Sequence, residues 1–160
     1  MSTSRADLPA APQGGFAWPV RVYWEDTDAG GIVFYANYLK FFERARTEWL
    51  RSLGVEQQAL RMRLGGMFVV SQTALRYLRS ARLDDELLVT SRLERAGSAS
   101  LTLAQQAWLL QRTPARADSS TATVHCGPLL CEGTLRIGWV DAQTLRLQRI
   151  PECIIDALQP

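Results

Sequence analysis

The stretch from Tyr23 to Leu50 reads YWEDTDAGGIVFYANYLKFFERARTEWL and combines a turn with an amphipathic helix. Its first part concentrates acidic and small residues around Gly30 and Gly31, which is a dense turn signal. From Val33 to Leu53 the apolar residues recur every three or four positions, as on one face of a helix. Gly54 follows this run, where a helix commonly ends on a left-handed residue. The stretch therefore predicts a turn followed by a long helix with one buried face.

The apolar face of this helix is rich in aromatic side chains. Tyr38, Phe42 and Trp49 fall on it at helical spacing, while charged residues occupy the opposite face. Large apolar residues at such positions are typical of a protein core, so we interpret them as core rather than as a cofactor site. The helix is therefore expected to bury this face against another element of the fold.

Most of the remaining chain alternates apolar and polar residues with a period of two, which is typical of strands. The first such segment, Phe16–Tyr23, precedes the turn and has Pro19 at its edge or start. A short helix over 56–63 and a pair of glycines separate the long helix from the rest. Four further segments of about ten residues then follow the strand pattern: Met67–Leu78, Glu86–Arg95, Ser100–Gln111 and Leu129–Val140.

The connections between the four later strands are short, with one exception. The stretch Arg112–Pro128 is long and polar, so it is either a long loop or a polar extension of the strands beside it. A last short helix is predicted to start at Pro151. Successive strands joined by short turns imply an antiparallel sheet, so we predict an α+β fold with one long helix on about five strands. Because one helix covers only one face of such a sheet, the other face or an edge strand is expected to meet a second copy.

The composition fits one globular domain. The chain has 160 residues, of which 47% are hydrophobic and 21% are charged, so disorder of the whole chain is excluded. Residues 1–17 are rich in proline, glycine and other small residues, and we predict a disordered lead-in before a single domain over 18–160. No apolar run approaches the ~18 residues of a membrane span. The net charge of +2 indicates no nucleic-acid partner.

The cysteines indicate the compartment. An odd and sparse set, Cys126, Cys131 and Cys153, does not fit a disulfide framework, so a reducing cytoplasm is expected. His125 next to Cys126 suggests a zinc site, but the spacing matches no usual ligand set and the chain has a single histidine. We therefore expect no metal site.

Two carboxylates in the turn could act on a substrate. Asp26 and Asp28 directly precede the helix, and Gly30 and Gly31 let the backbone approach a ligand. The first helical N–H groups, near 33–35, lack partners within the helix and would polarise a carbonyl oxygen. An ionised aspartate there could attack a carbonyl or deprotonate water. Turn formation and helix capping account for the same residues, and a magnesium site would need further ligands, so the residues alone leave these interpretations open.

The same segment resembles a known family. The sequences VRVY at 20–23, EDTDAGG at 25–31 and ERARTE at 43–48, together with Tyr38 and ARLDD at 81–85, resemble hotdog-fold acyl-CoA thioesterases of the 4-hydroxybenzoyl-CoA thioesterase superfamily. Within it they are most similar to the Tol-Pal-associated acyl-CoA thioesterases. The resemblance implies a hotdog fold and a homodimer or homotetramer with active sites at the subunit interface. It also implies hydrolysis of acyl-CoA to a carboxylic acid and coenzyme A in the cytoplasm without a cofactor, and a cell-envelope or lipid-synthesis protein as a further partner.

Position by position, the resemblance assigns the catalytic carboxylate to Asp28, acting as nucleophile or general base. The backbone N–H of Tyr35 would polarise the thioester carbonyl, and Asp26 would hold the turn. Many members of the family have histidine where this chain has Tyr35, so no imidazole is expected in the site. The resemblance also implies substrate contacts from Gly30, Gly31, Val33 and Phe34, and contacts to the coenzyme A phosphates from Arg95, Ser100 and Arg149.

A binding function is the alternative. A hotdog domain without that imidazole, and without basic residues at the turn around Gly97, could hold an acyl-thioester or a cell-envelope or lipid-synthesis partner with little catalysis. The requirement for Asp28 distinguishes an enzyme from a binding module. An enzyme needs this carboxylate for turnover, whereas a binding module needs it at most for affinity.

Overall fold

The computed structural model describes residues 8–113 and 123–158. The chain forms an antiparallel sheet with one long helix and two short ones, and a turn of 3-10 helix covers Trp24–Asp26. The α+β class and a five-stranded sheet, both expected from the sequence, are confirmed. The strands and helices are β1 (Phe16–Arg21), α1 (Asn37–Ser52), α2 (Gln57–Leu64), β2 (Gly66–Tyr77), β3 (Glu86–Ala96), β4 (Ser100–Thr113), β5 (Thr123–Asp141) and α3 (Glu152–Leu158).

The five strands lie in the order β1-β3-β4-β5-β2, and every neighbouring pair is antiparallel. The short turns between β3 and β4 explain why those strands are adjacent, whereas β1 and β2 lie at opposite edges although they are consecutive in the chain. Helix α1 connects these two edges and packs across β1, β3 and β4. The helix is therefore held mainly against the β1–β3–β4 side of the sheet.

The interior consists of two apolar clusters along α1. Its first half contributes Phe41 and Phe42, both fully buried, to a cluster with residues of β1, β3 and β5. Its second half contributes Trp49 and Leu50 to a cluster closed by α2 and α3, where Ile154 is buried. The interpretation of the aromatic stripe as core is confirmed, since these rings fill the space between helix and sheet.

Helix α1 begins at Asn37, four residues after the start at Val33 expected from the periodicity. The backbone explains the difference. Val33 pairs with Thr27 in an isolated bridge and donates its N–H to the carbonyl of Ala81 at 2.9 Å, so it belongs to an extended segment. Phe34 donates its N–H to the carbonyl of Asp26 at 2.9 Å. The apolar residues before Asn37 therefore anchor the turn to the body of the protein and are not part of the helix.

Strands β4 and β5 continue beyond the rest of the sheet as a two-stranded arm. The pairing of β4 with β5 extends to Thr113 opposite Thr123. The pairing of β4 with β3 reaches only to Leu109, which lies opposite Leu87. Of the two possibilities for 112–128, a strand extension is correct at both described ends, and residues 114–122 lie outside the described residues. The remaining long strands match their predicted segments within about two residues.

The N-terminal boundary differs slightly from the expectation. Strand β1 starts at Phe16, inside the predicted lead-in of 1–17, because Phe16 already pairs with Ser91 of β3. Its ring stacks on Trp18 with centroids 6.2 Å apart and packs against the second cluster. Residues 1–7 lie outside the described residues. Within the described ranges, no helix is both long enough and apolar enough to cross a membrane.

Candidate active site

Asp28 and Tyr35 line the same surface cleft, which has a volume of about 390 Å³. The cleft lies where the turn before α1 meets the end of β2 and the segment after it. Both predicted catalytic residues are thus brought together, and Val33 also lines the cleft. The other lining residues are Ile32, Tyr38, Tyr77, Leu78, Arg79 and Ser80.

The turn presents the Asp28 carboxylate in a defined orientation. Its Oδ1 accepts a hydrogen bond from the Gly30 N–H at 2.8 Å, and its backbone carbonyl accepts one from Gly31 at 3.0 Å. Gly31 has φ = +72°, a conformation that side chains disfavour, so glycine is needed here. Asp28 is exposed, and its Oδ2 receives no hydrogen bond from the described residues. One carboxylate oxygen is therefore held by the backbone while the other is open to a substrate or to water.

The neighbouring carboxylate, Asp26, has a different environment. Its side chain is only 1% exposed, and Oδ2 accepts the Tyr23 N–H at 2.9 Å. Its backbone carbonyl accepts both the Phe34 N–H and, at 2.9 Å, the Asn37 side-chain amide. Its Oδ1 is buried without a hydrogen-bond partner among the described residues. Asp26 thus ties the turn to the start of α1, as expected, and it is not among the residues that line the cleft with Asp28.

We predict that Asn37→Ala lowers kcat severalfold with little change in KM, because the lost amide no longer fixes the turn that presents Asp28. The lost hydrogen bond is also expected to cost about 1 kcal/mol of stability. Gln57→Ala is the matched control. Gln57, at the start of α2, donates from its side-chain Nε2 to Thr47 Oγ1 of α1 at 3.0 Å, ten residues along α1 from Asn37. Steady-state kinetics and denaturant unfolding of both variants check this, and an unchanged kcat in Asn37→Ala would contradict it.

The predicted helix N-terminal donors are not equivalent. The N–H groups of Val33 and Phe34 lack partners within the helix, as expected, but they are bonded to Ala81 and Asp26, so they are not available to polarise a carbonyl oxygen. The Tyr35 N–H has no hydrogen-bond acceptor among the described residues, and the Tyr35 carbonyl accepts the Tyr77 hydroxyl at 2.9 Å. Of the three, Tyr35 therefore presents the open donor, and the carbonyl of the same peptide, that of Phe34, accepts the Asn37 N–H at 2.8 Å.

Three tyrosines give the cleft an aromatic wall. The rings of Tyr35 and Tyr77 meet edge to face with centroids 6.2 Å apart, and Tyr38 lies 5.8 Å from Tyr77. The Tyr38 hydroxyl accepts the Ala81 N–H at 3.1 Å. Burial raises the pKa of both Tyr38 and Tyr77, so these hydroxyls stay protonated and neutral at physiological pH. The role of Tyr77 was missed, because nothing in the sequence marks the last residue of a strand as part of this wall.

The remaining predicted substrate contacts divide into two groups. Gly30, Gly31 and Phe34 belong to the turn but are not cleft-lining residues, so their contact with substrate stays a prediction. Arg95 and Ser100 lie together in a second cleft of about 450 Å³ at the β3–β4 turn. Arg149 is exposed. It lies near this cleft, since its neighbour Ile150 donates its N–H to the carbonyl of Ser98, a cleft-lining residue, at 2.8 Å.

Arg136 completes the second cleft and was missed by sequence reasoning. It lines the cleft, and its Nε donates to Ser100 Oγ at 3.2 Å. This bond uses one donor of the guanidinium and leaves its terminal nitrogens for an anion. The described residues contain no group of three or more histidine, cysteine or acidic side chains suited to a metal ion.

A family model described as the Thioesterase superfamily matches residues 30–115 of the chain. The chain belongs to this superfamily. An acyl-CoA thioesterase YbgC of Haemophilus influenzae is 45% identical over 112 residues, which cover 70% of this chain and 80% of the relative. An acyl-CoA thioester hydrolase YbgC of Escherichia coli O6:H1 is 37% identical over 140 residues, covering 88% of this chain and 92% of the relative.

Solved structures support the same assignment for this superfamily member. A probable thioesterase from Bartonella henselae superimposes with a TM-score of 0.68 at 27% identity and covers 84% of this chain and 98% of its own. A hypothetical protein from Thermus thermophilus superimposes with a TM-score of 0.73 at 26% identity and covers 89% of this chain and 96% of its own. The hotdog fold expected from the sequence is confirmed.

Proposed function

We propose that this protein hydrolyses the thioester bond of acyl-CoA, releasing a carboxylic acid and coenzyme A, with Asp28 as the acting carboxylate. The observation that carries the proposal is a single cleft lined both by an exposed aspartate with one open oxygen and by Tyr35, whose N–H has no acceptor among the described residues. The names of the relatives from Haemophilus influenzae and Escherichia coli support the same reaction. No cofactor is needed, because coenzyme A enters as part of the substrate.

The chemistry follows from these two groups. As a general base, Asp28 takes a proton from water, the hydroxide adds to the thioester carbon, and the C–S bond then breaks as the thiolate leaves and is protonated. As a nucleophile, Asp28 attacks the thioester carbon, the C–S bond breaks as the coenzyme A thiolate leaves and is protonated, and water then hydrolyses the resulting anhydride to the free acid and the Asp28 carboxylate. In both routes negative charge develops on the carbonyl oxygen, and the Tyr35 N–H would stabilise that charge. Thiol release from a panel of acyl-CoA thioesters tests the reaction, and absence of turnover on every member would refute it.

We further propose that the second cleft holds the phosphates of coenzyme A through Arg95, Arg136, Ser100 and the nearby Arg149. Guanidinium groups bind phosphate oxygens in pairs, and two arginines line this cleft. Arg136 supplies a cation opposite the turn at Gly97, where the chain has serine and alanine in place of basic residues.

Arg136→Gln is expected to raise KM for acyl-CoA at least about tenfold while leaving kcat nearly unchanged, because a lost charged hydrogen bond costs about 1.5–3 kcal/mol. The same variant should hydrolyse the corresponding acyl-pantetheine, which lacks the nucleotide, as well as the parent does. Arg63→Gln, which removes an exposed arginine at the end of α2, is the control. Equal losses on both substrates would show that Arg136 does not bind the nucleotide half.

The assembly and location are proposed on separate grounds. We propose a homodimer or homotetramer, because edge strand β2 has a described partner on one side only and exposes apolar residues such as Val70.

A cytoplasmic location is supported by three free cysteines. The family resemblance supports a Tol-Pal-associated role with a cell-envelope or lipid-synthesis partner. Light scattering after size exclusion tests the oligomeric state.

A further inference from the structure

Arg79 occupies a defined position in the cleft that contains Asp28. It follows the end of β2, where the Leu130 carbonyl accepts the N–H of Leu78 at 2.8 Å and that of Arg79 at 3.1 Å. This shared acceptor anchors the backbone of the segment to β5. Arg79 and its neighbour Ser80 both line the cleft. A flexible cationic side chain therefore starts from a fixed point at the edge of the candidate active site.

The charge environment of Arg79 differs from that of other arginines at this end of the sheet. Among the described residues no carboxylate lies within ion-pair distance of its guanidinium, whereas other arginines at this end of the sheet are paired. Arg21 and Arg112 both contact Glu86, at 2.6 and 2.7 Å, and Arg76 contacts Glu132 at 2.5 Å. The cleft itself contains one acid, Asp28, and neither of its carboxylate oxygens lies within ion-pair distance of the Arg79 guanidinium. Within the described part of the chain, Arg79 thus presents an unpaired cation at the cleft.

We propose that Arg79 binds a carboxylate at the far end of the acyl group, so that the preferred substrates are CoA thioesters of short dicarboxylic acids. This inference rests on the proposed hydrolysis of acyl-CoA at Asp28. A guanidinium binds a carboxylate through two parallel hydrogen bonds, which also fixes the direction of the acyl chain. Without Arg79, the negative charge of Asp28 would repel a second carboxylate in the same cleft. A neutral acyl chain of equal length gains nothing from the guanidinium.

Pairs of substrates with equal chain length test the inference. We would compare kcat/KM for succinyl-CoA against butyryl-CoA and for glutaryl-CoA against pentanoyl-CoA, in the parent, Arg79→Gln and Arg82→Gln. The parent is expected to prefer the carboxylated member of a pair at least tenfold. Arg79→Gln should abolish this preference while changing kcat/KM for the neutral member less than twofold. Arg82→Gln removes a nearby exposed arginine that is not a cleft-lining residue, and it should keep the preference.

The outcomes separate this inference from the proposed reaction. A parent that prefers the neutral members, or an Arg79→Gln variant that loses activity equally on both members, would overturn the role of Arg79. The second result would place Arg79 on the shared coenzyme A part of the substrate. If no thioester were hydrolysed, the proposed reaction would fail, and calorimetry with non-hydrolysable thioether analogues of succinyl-CoA and butyryl-CoA would still test Arg79. Equal dissociation constants for the two analogues would then overturn it.

Discussion

Asp28→Asn is expected to reduce kcat/KM at least a hundredfold on every acyl-CoA that the parent hydrolyses. Positioned general bases contribute about 10²–10⁴-fold to a rate, and an amide can neither accept the proton from water nor attack the thioester carbon effectively. The asparagine side-chain oxygen can still accept the Gly30 N–H, which Asp28 Oδ1 accepts at 2.8 Å, so the turn should keep its shape. Thiol release measured with a chromogenic reagent gives the rates, and circular dichroism checks that the variant folds.

Asp26→Asn is the matched control for Asp28→Asn. It removes a carboxylate two residues away, but that carboxylate is buried and holds the Tyr23 N–H. An asparagine oxygen can take over this bond, so turnover should fall far less than in Asp28→Asn and the main change should be in stability. Equal turnover in the parent and in Asp28→Asn would sink the Asp28 mechanism and favour a binding module. Equal losses in both variants would show that the turn, rather than the Asp28 carboxylate, limits the rate.

The long elements were predictable because their side-chain periods are local properties of the sequence. The stripe of α1 and the alternation of β2 to β5 need only neighbouring residues to be recognised. The start of α1 was not predictable in this way. Val33 and Phe34 are apolar and fit the helical period, yet their N–H groups bond to Ala81 and Asp26. The first of these bonds depends on a segment nearly fifty residues further along the chain and the second on the preceding turn, so the period alone placed the helix start four residues too early.

In the candidate site, too, the residues of one contiguous segment were predictable from the sequence, whereas those contributed by other strands were not. The segment containing Asp28 and Tyr35 is contiguous, so its resemblance to a family was enough to single out both residues. Arg136 and Tyr77 come from other strands. Arg136 reaches Ser100 because β4 and β5 pair in a register that places Thr102 opposite Arg136. A register across strands follows from the folded sheet, and no spacing in the sequence reports it.

Phe42→Ala is expected to lower the free energy of unfolding by about 3–5 kcal/mol, the range for truncating a fully buried phenylalanine. Phe42 has no exposed surface and lies between α1 and the sheet in the first apolar cluster. Its backbone carbonyl also accepts Gln105 Nε2 at 2.9 Å, which ties this turn of the helix to β4. The neighbouring side chains can fill the space left by the ring only partly, because the backbone around it is held by such contacts.

Phe34→Ala is the control, since it removes the same ring from a position that is 41% exposed. Its effect should stay near 1 kcal/mol or below, because little apolar surface leaves water there on folding. Urea unfolding of both variants and the parent, at one protein concentration, gives the midpoints, and equal slopes justify converting them to free energies. If Phe34→Ala cost as much as Phe42→Ala, the ring of Phe34 would have to be buried in the assembled protein. The turn that presents Asp28 would then form part of an interface between copies.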